Sequence, residues 1–133
     1  MKKKFLAFSL IAVLLVTGAA ATTITPYWTY TSAIMRGIEL TSQGVDWTTA
    51  ISAYSLANVT DVKITTKLQL QAATGWSTLD TQTDKQPGTF AGVGGLYTSW
   101  LKNRSYRIET YAYVYNGSTV IESIGPLYDY LNT

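Results

Sequence analysis

Cysteine and histidine are both missing from the 133 residues. Their absence excludes disulfides, thiol nucleophiles, imidazole bases and the usual zinc ligand sets together. Proline occurs only three times, and charged residues make up just 14% of the chain. No Asp-x-Asp-x-Asp-Gly run is present, so the common calcium loop is excluded too. No second long apolar stretch follows the one near the N-terminus, so nothing beyond it is suited to anchoring the chain in a membrane.

What the sequence does have begins with that N-terminal stretch. Lys2, Lys3 and Lys4 precede an apolar run from Phe5 to Val16, and Gly18-Ala19-Ala20-Ala21 supplies small residues for cleavage. These are the three parts of a secretory signal peptide, and the apolar run falls short of the roughly 20 residues that span a bilayer. Cleavage is expected after Ala21, giving a secreted, extracellular protein that meets a membrane only through the uncleaved signal. A lysine-led signal without cysteine in the chain leans toward a bacterial source. The leader also carries three of the ten positive charges, leaving seven Lys/Arg against eight Asp/Glu beyond it. The basic balance is thus a property of the leader, and no nucleic-acid partner is expected. The remaining length suits one domain whose core must hold by packing alone.

Residues 22–32 read as an extended lead-in with Pro26, Tyr27, Trp28 and Tyr30, and residues 33–133 as a single β domain. Strands are predicted over 33–40, 47–56, 62–71, 76–83, 89–100, 105–115 and 118–124. The third is clearest in phase, because Val62, Ile64, Thr66, Leu68 and Leu70 alternate with Lys63, Thr65, Lys67, Gln69 and Gln71. The sixth repeats the pattern, with Tyr106, Ile108, Thr110, Ala112 and Val114 on one side and Arg107, Glu109, Tyr111, Tyr113 and Tyr115 on the other. Asn116-Gly117 predicts a type I′ hairpin turn. Asp84-Lys85-Gln86-Pro87-Gly88 reads as a loop, and Gly125-Pro126 as the end of the seventh strand. Gly92, Gly94 and Gly95 suggest a bulge or a close backbone approach, and no phosphate cradle, since no helix or Lys-Ser/Thr follows them. Seven short strands without helical periodicity predict an all-β antiparallel two-sheet sandwich, with an up-and-down barrel as the alternative.

The segment Trp100-Leu101-Lys102-Asn103-Arg104-Ser105-Tyr106-Arg107-Ile108 resembles the tyrosine corner of fibronectin type III and other immunoglobulin-like sandwiches. That resemblance implies a structural role for Tyr106, with its ring in the core and its hydroxyl bonded back to main chain. More broadly, Leu68-Gln69-Leu70-Gln71 through Gly75-Trp76-Ser77-Thr78-Leu79, then Tyr106-Arg107-Ile108, resembles a family of small secreted Gram-positive proteins of uncharacterised activity. The resemblance implies no catalytic residues and no cofactor.

Carboxylates are the only remaining source of acid–base chemistry. Glu39, Asp46, Asp61, Asp80, Asp84, Glu109, Glu122 and Asp129 are scattered singly, so paired glycosidase acids rank third among the readings. Asn58-Val59-Thr60, Asn103-Arg104-Ser105 and Asn116-Gly117-Ser118 match the glycosylation pattern but are read as chance in a Ser/Thr-rich chain. Trp47, Trp76 and Trp100 are read as core or sheet-rim residues. The candidate contact surface is Tyr111, Tyr113 and Tyr115, one row on one strand face, suited to stacking on sugars or gripping a protein. The expected function is a non-catalytic binding module for an extracellular protein or glycan, needing no metal or cofactor. A bacteriocin-like antagonist is the alternative.

Overall fold

The computed structural model describes residues 28–133. The signal peptide expected over residues 1–21, and the lead-in up to residue 27, lie outside the described residues. Seven strands follow: β1 (Thr31–Thr41), β2 (Gly44–Ala53), β3 (Asp61–Ala72), β4 (Gly75–Pro87), β5 (Phe90–Tyr97), β6 (Ser105–Asn116) and β7 (Thr119–Asn132). They form a three-stranded sheet ordered β1-β2-β5 and a four-stranded sheet ordered β4-β3-β6-β7, with every pairing antiparallel. The fold is therefore the expected sandwich and not a closed barrel.

Alternation dictates what each strand buries. From β2, Val45, Trp47, Thr49 and Ile51 face the interior; from β3, Val62, Ile64, Thr66 and Leu68; from β6, Tyr106, Ile108, Thr110 and Val114. Burying each of the larger apolar side chains contributes roughly 1.5–3 kcal/mol, which is how a cysteine-free sandwich holds. The core has two parts. Ile51, Val62, Ile64, Ala112 and Val114 make one cluster, and Val45, Trp47, Leu68, Tyr106 and Ile108 make the other. Between them lies a belt of threonine hydroxyls: Thr49 Oγ1 is 2.6 Å from Thr66 Oγ1, which donates to Thr110 Oγ1 at 3.4 Å.

Three local expectations are corrected. Residues 84–87 are not a loop, because β4 continues to Pro87 and pairs residue by residue with Asp61–Ile64. As an edge strand, β4 needs only one row of ladder bonds, so polar residues and a terminal proline are tolerated. Gly125-Pro126 does not end β7; the strand bulges there, opposite Tyr111, and resumes pairing at Leu127. The last hairpin is not type I′, since its two loop residues are Gly117 and Ser118 and only Gly117 has positive φ, at 62°. Glycine at the first central position is the type II′ arrangement. Of the two readings of the β5 glycines, close approach is the one observed. A Cβ on Gly95 would lie 3.0 Å from the Trp47 indole, and β5 pairs with β2 without a register shift.

At one flank of the sandwich the N-terminal lead-in is tied to β7. The Glu122 carboxylate accepts the backbone N–H groups of Thr29, Tyr30 and Thr31 at 2.7, 3.2 and 2.8 Å. Trp28 and Tyr30 pack against the first core cluster. Nearby, Arg36 of β1 reaches Asp129 of β7 at 3.0 Å, bridging the two sheets.

Candidate functional site

Tyr106 begins β6 with a ring that is 0% exposed. Its hydroxyl accepts the Leu101 backbone N–H at 2.9 Å, which ties the connection before β6 to the core. With Tyr106 pointing inward, period-two alternation turns Arg107, Glu109, Tyr111, Tyr113 and Tyr115 to the outer face of the four-stranded sheet. The cross-strand register sets Gln69, Lys67, Thr65, Lys63 and Asp61 of β3 beside them in that order. Lys85 of β4 is the register partner of Lys63, and Tyr128 and Tyr130 of β7 are those of Glu109 and Arg107.

The three tyrosines of the expected row share this face but differ in access. Tyr111 and Tyr113 are half-buried, whereas Tyr115 is only 8% exposed. The Lys85 ammonium sits 4.1 Å from the centre of the Tyr115 ring, and Lys63 sits 4.9 Å from that of Tyr113. Each cation thus covers one ring.

The more open aromatic surface lies at the other end of the face, in residues that sequence reasoning did not place in a site. The Arg107 guanidinium is held between Trp76 and Tyr128, with its carbon 4.3 Å from each ring centre. Below it the buried Gln69 carbonyl accepts from Arg107 Nε at 2.7 Å, while the Gln69 amide donates to Thr78 Oγ1 at 3.1 Å. Tyr130 completes the cluster, its ring centre 5.9 Å from that of Trp76 and 6.4 Å from that of Tyr128. Tyr128 and Tyr130 are 38% and 59% exposed, so the accessible ring area is here and not at Tyr115. The available signal was register: β7 resumes its phase after Gly125-Pro126, which carries Tyr128 and Tyr130 onto the face of Arg107.

Charge on this face is positive and partly uncommitted. Lys63, Lys67, Lys85 and Arg107 stand there with Asp61 and Glu109. Glu109 is already engaged, accepting from the Tyr128 hydroxyl at 3.2 Å with Lys67 at 3.9 Å. Partial burial, and then Glu109 itself, pushes the Tyr111 phenol above its ordinary value, and burial with the Glu109 hydrogen bond does the same for Tyr128. Both phenols stay neutral over the ordinary pH range.

The other carboxylates sit elsewhere. Glu39 and Asp46 oppose one another on the outer side of the three-stranded sheet, and burial followed by the charge of Glu39 raises the Asp46 carboxyl. Asp80 and Asp84 lie on the inward side of edge strand β4, where Asp84 accepts the Gly92 N–H at 3.1 Å. Glu122 and Asp129 hold the flank described above. Trp47 is core, Trp100 is packed partly buried against the second cluster, and no group of three or more metal-ligating side chains occurs among the described residues.

A three-plus-four antiparallel sandwich, with a core tyrosine bonded back to the preceding main chain, defines the class: an immunoglobulin- and fibronectin type III-like β-sandwich. No family model matches the sequence, and no curated protein does. Among solved structures, a candidate β-galactosidase from Bacteroides fragilis is 11% identical with a TM-score of 0.43, over 75% of this chain and 16% of its own. Bacteroides uniformis β-glucuronidase 2, covalently bound to cyclophellitol-6-carboxylate aziridine, is 11% identical with a TM-score of 0.45, over 74% of this chain and 13% of its own. This chain spans less than a fifth of either protein, and nothing about activity passes from them to it.

Proposed function

We propose that the protein is a secreted, non-catalytic binding module that docks an extracellular ligand on the outer face of β4-β3-β6-β7. The observation that carries this reading is the open aromatic–cation cluster of Trp76, Arg107, Tyr128 and Tyr130, continued along the sheet by Tyr113 with Lys63. Exposed aromatic side chains combine large apolar area with a polar tip, and a clamped guanidinium is pre-ordered, so little entropy is lost when a ligand stacks there. The export signal and the resemblance to small secreted Gram-positive proteins support an extracellular setting. The non-catalytic part rests on chemistry: the sequence has no histidine or cysteine, and Glu109, Glu122, Asp84 and Asp129 are engaged in structural bonds.

Retention of the purified exported protein on bacterial cell-wall material tests this. Y128A/Y130A should release it by at least tenfold while the thermal melt stays near that of the parent, because both side chains are exposed. Undiminished retention by that variant would remove the proposed face.

A further inference from the structure

The four cations of the binding face differ among themselves in their partners: Lys67 faces Glu109 at 3.9 Å. Lys63 and Lys85 have instead only tyrosine faces as partners, and Arg107 spends its Nε on Gln69 and its two planar faces on rings. The ammonium hydrogens of the two lysines and the terminal N–H fork of Arg107 therefore have no carboxylate acceptor among the described residues. A guanidinium edge left open while its faces are covered is the geometry that receives a carboxylate in a paired, charge-assisted fashion.

Charge is also segregated across the molecule. Of the seven Lys/Arg in the described residues, four are on this face, against two of the eight Asp/Glu. Glu39 and Asp46 lie on the opposite sheet. An overall acidic mature chain thus turns a basic face outward, which favours an anionic ligand at this face and disfavours it elsewhere.

Spacing narrows the class further. Lys63 and Lys85 are cross-strand partners at one end of the sheet, and Gln69, which anchors Arg107, is six residues further along β3. At the strand rise this separates the two positive centres by about 20 Å, with ring surface between and beside them. Ring faces interleaved with cations along a flat strip match a polymer of repeating rings that carries repeated negative charge.

Resting on the binding-module reading, we infer that the ligand is a carboxylated polysaccharide, held by Arg107 at one end of the strip and by Lys63 with Lys85 at the other. Its sugar rings stack on Tyr128 and Tyr130, the exposed rings of the face. Electrostatic contact of this kind weakens with salt, whereas ring stacking on a neutral sugar does not.

Affinity electrophoresis and calorimetry of the exported protein with polygalacturonate, and with the same polymer methyl-esterified, decide it. Binding to the acidic form should be at least tenfold tighter, and tighter at 50 mM than at 300 mM salt. K63Q/K85Q, which changes only surface groups, should lose about tenfold on the acidic form alone, while E39Q on the other sheet changes nothing. Equal binding to both polymers would overturn the carboxylate inference and leave the module reading intact. Binding to neither polymer, or binding only to vesicles containing anionic lipid, would also overturn it. The module reading itself fails only if cell-wall retention survives Y128A/Y130A.

Discussion

Thr66 stands at the middle of β3 with 0% exposure, between two apolar clusters and bonded to a threonine on each side. Three buried hydroxyls that satisfy one another cost little, but removing the middle one orphans two. Replacing it by valine, which fills nearly the same volume, should therefore destabilise by about 1–3 kcal/mol, mostly from desolvated Thr49 and Thr110. The triple variant T49V/T66V/T110V leaves no orphan and should recover most of that loss. Urea midpoints of the parent, the single and the triple variants check this, and a triple variant weaker than T66V would contradict the account. Tyr106 is the companion case at the core's other end: Y106F keeps the ring but leaves the Leu101 N–H without its acceptor. A loss of about 1 kcal/mol is expected in the same measurement. Both residues were legible as inward-facing from period-two alternation in β3 and β6. That the three threonines meet was not, because it depends on how β2 sits across from β3, and sequence alternation fixes faces without fixing which residues of two sheets oppose.

Among the elements, β4 and β7 are where sequence reasoning stopped short, for related physical reasons. Asp84-Lys85-Gln86-Pro87-Gly88 has the composition of a loop, yet four of its residues complete an edge strand. On that strand Asp80, Gln82, Asp84 and Gln86 share the inward phase with Leu68, Thr66, Ile64 and Val62 of β3. Polar side chains pointing inward on an edge strand oppose sheet-to-sheet growth, since another chain adding there would have to bury them. In β7 the bulge at Gly125-Pro126 breaks the local pattern, and only the β6 register shows that Tyr128 and Tyr130 return to the outer face. The tyrosine row on β6 was legible for the opposite reason, its alternation being unbroken. Its access was not, because Lys85 covers Tyr115 from a segment that reads as a loop. If the inward polar row protects the β4 edge, D80V/Q82V should remain folded by circular dichroism but self-associate. Light scattering after size exclusion should show a dimer or larger species at concentrations where the parent elutes as its smallest species. An unchanged elution would assign those side chains to local hydrogen bonding alone, since the Gln82 amide also contacts Asp80 at 3.2 Å.

At the scale of the whole molecule, the two sheets are joined by core packing and by two contacts on one flank. These are the Arg36–Asp129 ion pair and the hydrogen bonds that the Glu122 carboxylate accepts from backbone N–H groups, and they respond to pH with opposite signs. Burial works against charge on Glu122, but the hydrogen bonds from Thr29–Thr31 outweigh it and hold the carboxyl below its ordinary 4.5. Between that lowered value and 4.5 the unfolded chain binds more protons than the folded one, so stability falls as pH drops through this window. Asp129 behaves in reverse. Burial raises it above its ordinary 3.8, only partly offset by Arg36, so the folded chain takes up its proton first and gains relative stability as pH falls. E122Q should consequently lose stability at pH 7, by about 1 kcal/mol given the partial exposure of the group. Its deficit should shrink as the pH falls below 4.5 and through the lowered value at which the parent's Glu122 is itself protonated. D129N should show a gap that moves the other way, falling further behind the parent as acid neutralises Asp129 and the parent keeps that gain. Urea unfolding of the three proteins at pH 3, 5 and 7 separates the cases, and a deficit for E122Q that stays constant across this range would mean that the lead-in is held by packing of Trp28 and Tyr30 and not by the carboxylate.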